Sequence, residues 1–173
     1  MDTLLQVLLD GMLNGMLYAL VAVGLCLIWG VMDVINFAHG EYVMISMYVT
    51  YWLGFLANVD PLVSMFAGGL FIFILGALTY RLIIKYTVGK PPLSALLATF
   101  GLAMLLKNLC LNQFTPNYRI LSDTWLGDRT FQLGAIIVPV PQLVTAALAL
   151  VVIGLVFFMV RSTRFGWAVQ ATA

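Results

Sequence analysis

The chain has 173 residues, of which 63% are hydrophobic and only 9% charged, with a mean hydropathy of +1.06. A soluble domain carries about 25% charged residues to cover its core with a hydrated surface, so this composition excludes an ordinary water-soluble globule and leaves lipid as the surrounding medium. The net charge of +1, from 8 basic and 7 acidic residues, excludes a nucleic-acid footprint, which needs clustered Lys and Arg.

A membrane crossing takes about 20 apolar residues, because the hydrocarbon core is about 30 Å thick and a helix rises about 1.5 Å per residue. Helix is the form required, since in lipid every backbone N–H and C=O must be satisfied internally, and no segment here alternates as barrel strands do. The first apolar segment runs from Leu4 to Trp29. A secretory leader would open on a basic stretch, whereas Asp2 and Asp10 precede any Lys or Arg; the segment is expected to remain as a membrane helix. Gly11, Gly15 and Ala19 recur at four-residue spacing along it, which lets two helix backbones approach closely in lipid, and they are the expected helix-packing residues. Cys26 and Cys110 lie in apolar stretches without metal-like spacing and read as small buried hydrophobes.

Between the first and second segments, Gly30 to Glu41 holds the densest polar constellation of this half, with Asp33, Asn36, His39 and Glu41. The second segment, Tyr42 to Ala57, would be only about 24 Å long as a helix. It falls short of a crossing unless the polar stretch dips into the membrane and contributes to it. Non-helical backbone at that depth persists only where it is buried in protein or lines a wet cavity. Broken helices of this kind carry substrate sites in transporters, because their ends present free N–H dipoles. Asn36 is the expected N-cap of the new helix, with Glu41 near its first turn. The alternative is an ordinary turn with His39 and Glu41 in water. A metal site is disfavoured, because the chain holds one His and residues two apart on a helix do not face each other. No Ser-His-Asp arrangement or phosphate-cradling loop is present, so neither a catalytic residue nor a cofactor is expected.

The third segment spans Leu62 to Ile84, the fourth Leu93 to Leu111 and the fifth Leu143 to Val160. Arg81, Lys85 and Lys90 crowd the connection between the third and fourth, and Arg161 and Arg164 follow the fifth. By the positive-inside rule both places are cytoplasmic, which puts the N-terminus outside. Lys107, near the end of the fourth segment, is expected to snorkel its ammonium to the interface. The long connection from Asn112 to Gln142, with Pro116, Trp125, Pro139 and Pro141 and with Arg119 and Arg129 balancing Asp123 and Asp128, reads as an ordered, partly helical segment on the outer face. It is either a connector or a surface that receives a partner protein. The expected fold is an all-α integral membrane protein: a polytopic transmembrane helix bundle with about five crossings and a broken helix after the first.

The same residues carry a family resemblance. Leu17 to Ile45 resembles the LivH-type permease family of bacterial ABC importers for branched-chain amino acids, with INFAHGE, Ile35 to Glu41, as the core match and Tyr18 to Leu20 before it. LLATFGLAMLLKN, Leu96 to Asn108, is similar to the family's fourth-segment signature, and RSTRFGWAVQATA, Arg161 to Ala173, to the start of its cytoplasmic coupling segment. Lys107 stands where members commonly have Gln, and Trp167 and Gln170 stand where they often have basic residues.

The resemblance implies a non-catalytic permease subunit in the bacterial inner membrane. Its partners would be a second permease subunit, two cytoplasmic ABC ATPases and an extracytoplasmic substrate-binding protein. It places the substrate pathway on Asn36, Phe37, Ala38, His39, Gly40 and Glu41. On such a pathway Glu41 or, just before it, Asp33 is expected to pass the ammonium of an amino acid. Coupling to the ATPases would fall on Arg161, Arg164, Gly166 and Ala168. Members continue for several more helices, so residues 1–173 are expected to be a single transmembrane permease domain, a fragment or truncated product stopping before the second half of the family fold. Urea or short amides stay open as cargo. A passive channel, a secondary transporter or a structural scaffold stay open as other classes.

Overall fold

The computed structural model describes residues 2–114, 116, 117, 119, 121, 125, 127, 129–133, 136–163 and 166. Among these residues the chain forms five α-helices, a 3-10 turn and one short hairpin. In order these are α1 (Asp2–Met32), α2 (His39–Ala57), α3 (Pro61–Leu82), a 3-10 turn (Ile84–Tyr86), α4 (Pro92–Phe114), β1 (Thr130–Leu133), β2 (Ile136–Pro139) and α5 (Val140–Ser162). Thr3–Met32, Pro61–Tyr86, Pro92–Phe114 and Val140–Ser162 are long and apolar enough to cross a membrane. The protein is an all-α polytopic membrane protein. α2, the expected second crossing, is absent from those four, because His39, Glu41 and its tyrosines make it less apolar than its neighbours.

α1, α2, α4 and α5 outrun their apolar segments by a few residues, whereas α3 stops at Leu82, two residues short, and local chemistry sets the stops. α1 continues to Met32, where Asp33 takes a left-handed conformation (φ 49°), one of the few non-glycine residues that tolerate it. Asn58 does the same at the end of α2. Two residues later the Asp60 carboxylate accepts from Leu62 N at 2.9 Å, and Pro61 opens α3. A left-handed Asn, an Asp cap and a first-turn Pro thus close the α2–α3 turn within three residues.

The chain forms two compact units, one of Met1–Met32 with Trp125–Ala173, the other of Asp33–Thr124. In the first, α1 packs along α5. The contact uses a stripe on α5 in which Ala146 and Ala149 are 2% and 1% exposed. The expected packing residues Gly11, Gly15 and Ala19 are instead all exposed, and a Cβ added at either glycine would meet nothing within 4 Å. The hairpin pairs antiparallel, with Gln132 opposite Ile137. The Gln6 amide caps its open edge, donating to Ile137 O at 2.8 Å and accepting from Ile137 N at 3.0 Å. A free strand edge in an apolar setting leaves costly unmet backbone groups, and one side chain satisfies both. Since β2 leads directly into α5 and touches α1 near its start, α1 and α5 run side by side from the same end.

The Asn112–Gln142 connection, expected to be partly helical, lies in part outside the described residues. Among its described residues helix appears only where α4 runs on to Phe114 and α5 begins at Val140, and the remainder includes the hairpin. The expected burial of Cys26 is corrected, since it is exposed while Cys110 is buried.

In the second unit α2 packs against α3 and α4. Gly68 brings α3 against α2 so closely that an added Cβ would lie 3.0 Å from Ser46 Oγ and 3.1 Å from Thr50 Oγ1. Ser64, one turn earlier, is 1% exposed. Ala38, Tyr42 and Leu106 form the core, with Ile45, Ile72, Leu75, Leu102 and Ala103 packed on it. Tyr48 stacks on Phe114 at 4.5 Å and Trp52 lies 5.9 Å from the same ring. These contacts run α2 and α4 in one direction with α3 opposed. Lys107 is exposed on α4.

Candidate functional site

Residues 33–38 are non-helical between two helices, and their backbone is held by one local and one long-range set of hydrogen bonds. The stretch alternates as an extended chain does: Val34, Asn36 and Ala38 are 4%, 5% and 0% exposed, whereas Ile35 and Phe37 are 45% and 48% exposed. One edge is therefore locked into the unit and the other left open.

Asn36 supplies the local hold. Its Oδ1 accepts from Ala38 N at 3.0 Å and its backbone carbonyl accepts from His39 N at 3.2 Å. This side-chain turn stands in for the missing helical hydrogen bonds. It also corrects the expected cap: the N-cap of α2 is Ala38, without a side-chain cap bond, because the Asn36 amide is already spent inside the turn.

Thr99 of α4 supplies the long-range hold. Fully buried, its Oγ1 accepts from Phe37 N at 3.3 Å and lies 3.2 Å from both Ile35 O and Leu96 O. One hydroxyl proton serves one of those carbonyls at a time. Phe100, the next residue, meets Phe37 edge-on at 6.4 Å. Tyr42, four residues beyond the stretch, ties α2 to α3, donating to Thr79 Oγ1 at 2.8 Å, while Thr79 donates to Leu75 O at 2.9 Å.

Within this frame the expected pathway residues separate. Asn36 and Ala38 are buried supports, while Asp33, Phe37 and Gly40 are exposed and His39 and Glu41 half-buried. Glu41 falls in the first turn of α2, where the helix dipole favours a negative charge. A Cβ at Gly40 would meet nothing within 4 Å, so the helix start has open space beside it. Among the described residues no three His, Cys, Asp or Glu side chains come together as a metal ion would need.

Of the expected coupling residues, Arg161 is exposed at the end of α5 with its guanidinium 5.7 Å from the Phe157 ring. Gly166 is buried, donates to Thr163 Oγ1 at 3.2 Å, and abuts the Val160 carbonyl so closely that no Cβ would fit. Arg164 and Ala168 lie outside the described residues. Thr99, Thr79, Tyr42 and Gln6 were not singled out in sequence, although isolated polar groups in apolar helices are the available signal for such positions.

The sequence matches the family described as branched-chain amino acid transport system / permease component over residues 7–173. The chain belongs to this family. The match runs through both units and includes the broken stretch. It is similar to the high-affinity branched-chain amino acid transport system permease protein BraD of Pseudomonas aeruginosa, at 30% identity over 98% of this chain and 59% of the relative. The permease proteins LivH of Salmonella typhimurium and of Escherichia coli are each 27% identical over 98% of this chain and 58% of their own length. The chain thus spans less than two thirds of these permeases. No solved structure gives a significant match.

Proposed function

We propose that the chain is a membrane-spanning, non-catalytic part of the permease of an ATP-driven importer for branched-chain or other hydrophobic amino acids in a bacterial inner membrane. The observation that carries this reading is the break at residues 33–38. Its backbone is fixed by Asn36 and Thr99, while Phe37, Gly40 and Glu41 are left at least partly uncovered at a helix start. Irregular backbone among apolar helices is stable only with such supports, and a helix start favours a carboxylate. Phe37 would meet an apolar side chain, and Glu41 or Asp33 would pass the ammonium. The names of the relatives support the same cargo.

The reading includes a topology. α1 and α5 set out from one end of their unit, so the chain between them crosses an odd number of times. α3 and α4 account for two crossings by length, and α2, which runs with α4 and against α3, supplies the third. The basic residues at the ends of α3 and α5, Arg81, Lys85 and Arg161, favour placing those ends in the cytoplasm and the N-terminus outside. Residues 1–173 act as one permease domain, with the family match running through both units. The partners are a second permease subunit, two cytoplasmic ABC ATPases docking near Arg161 to Ala168, and an extracytoplasmic binding protein.

The test is uptake of labelled leucine by cells with and without the gene that carries this sequence. Uptake that requires the gene, stops on ATP depletion and resists excess urea is expected. Competition by urea would assign the pathway to small amides, and uptake surviving ATP depletion would assign it to a channel or secondary transporter.

A further inference from the structure

We infer that Arg119 and the middle of α2 form a second subsite on the substrate route, one that receives the carboxylate of an apolar α-amino acid. The inference rests on the transport reading above but not on the broken stretch, since it concerns a different face of α2. An open cavity of about 290 Å³ is lined by Ser46, Met47, Thr50, Tyr51, Arg119 and Leu121. That volume is near the lower end of ligand pockets, roughly 300–1,000 Å³, and suits a small solute.

Arg119 and Leu121 are both seated against α2. Leu121 occupies the space a side chain at Gly54 would take: an added Cβ would come within 2.8 Å of Leu121 Cδ1. The Arg119 guanidinium lies 5.5 Å from the Tyr51 ring and 5.3 Å from the Trp52 ring, and its Nη2 donates to Phe114 O. Its Nε is buried without a hydrogen-bond partner. Arginine carries five donors, and the partners of this one among the described residues are a neutral carbonyl and two ring faces. A half-buried guanidinium set against two aromatic rings, with no anion beside it among the described residues, is a ready receiver for a planar carboxylate. Ser46 and Thr50 add hydroxyls beside it, while Met47 and Leu121 offer the apolar wall a leucine-like side chain requires. A protein partner's acidic side chain would meet the same charge, but it has no need of an open cavity of this volume with mixed lining.

The test uses equilibrium dialysis of the detergent-solubilised full chain with labelled L-leucine, isovalerate (carboxylate without ammonium) and L-leucinamide (ammonium without carboxylate). Leucine and isovalerate should bind, and leucinamide about tenfold to a hundredfold more weakly, the range expected for losing a hydrogen bond to a charged group. Arg119→Gln should weaken the first two by a similar factor and erase the difference from leucinamide, with helicity unchanged. Met47→Trp should block all three by filling the cavity while leaving Arg119 intact. Isovalerate binding that depends on Arg119 without any leucine binding would keep the carboxylate site and remove the amino-acid cargo. Leucine binding unaltered in both variants would overturn the site and leave the transport reading standing. Absence of binding by either acid would overturn the site, as would an Arg119→Gln chain that keeps its ligands but fails to hold an extracytoplasmic binding protein.

Discussion

At the residue scale, Thr99 is the side chain on which the break depends. It contributes an acceptor for Phe37 N and a donor shared between Ile35 O and Leu96 O. Thr99→Val keeps the shape and removes both, leaving a partly buried N–H unmet at a cost of about 1 kcal/mol. In detergent melts the valine variant should unfold well below Thr99→Ser, which keeps the hydroxyl; equal melting would show that the hydroxyl holds nothing. Glu41→Gln retains size and hydrogen bonding while removing the charge from the first turn of α2. It should reduce transport in cells without lowering the amount of protein in the membrane, and unchanged uptake would remove Glu41 from the route. The polar cluster from Asp33 to Glu41 was legible because charge is conspicuous in so apolar a chain. Its internal division was not, since only the fold tells that Asn36 faces inward and Phe37 outward.

At the element scale, apolar runs located the helices to within a few residues, because length in lipid is set by the hydrocarbon thickness. They did not locate the contacts. A membrane helix is apolar on its lipid face as well as its packed face, so periodicity loses its direction. Gly11 and Gly15 had the expected spacing yet face outward, whereas Ser64 with Gly68, and Ala146 with Ala149, are the small residues at which helices meet. Gly68→Val should push α3 off α2 and cost about 1–3 kcal/mol, read as a lower melting temperature. Gly11→Ala should leave melting unchanged or slightly raised, since alanine favours the helix and nothing stands in its way. The hairpin escaped a sequence reading for a different reason: its strands are four residues each, too short for alternation to register, and its edge is closed by Gln6, far away in sequence.

At the scale of the whole molecule, the proposed sidedness rests on the basic residues Arg81, Lys85 and Arg161 at helix ends and the positive-inside rule. Single cysteines introduced as Thr87→Cys and Thr130→Cys, with Cys26 and Cys110 replaced by alanine, should report opposite sides. The second should react with an impermeant thiol reagent in intact cells, the first only after permeabilisation. The reverse pattern would invert the topology, and labelling of both from outside would remove a crossing from the count.

The central claim, that this chain works as part of an ATP-driven permease, is tested most directly by its company. The tagged chain, expressed in its own cells and purified in mild detergent, should bring with it an ABC ATPase and a second permease subunit, identified by mass spectrometry, and the ATPase should be lost when Arg161 and Arg164 are both changed to Glu. A well-folded chain recovered without either partner would contradict the account.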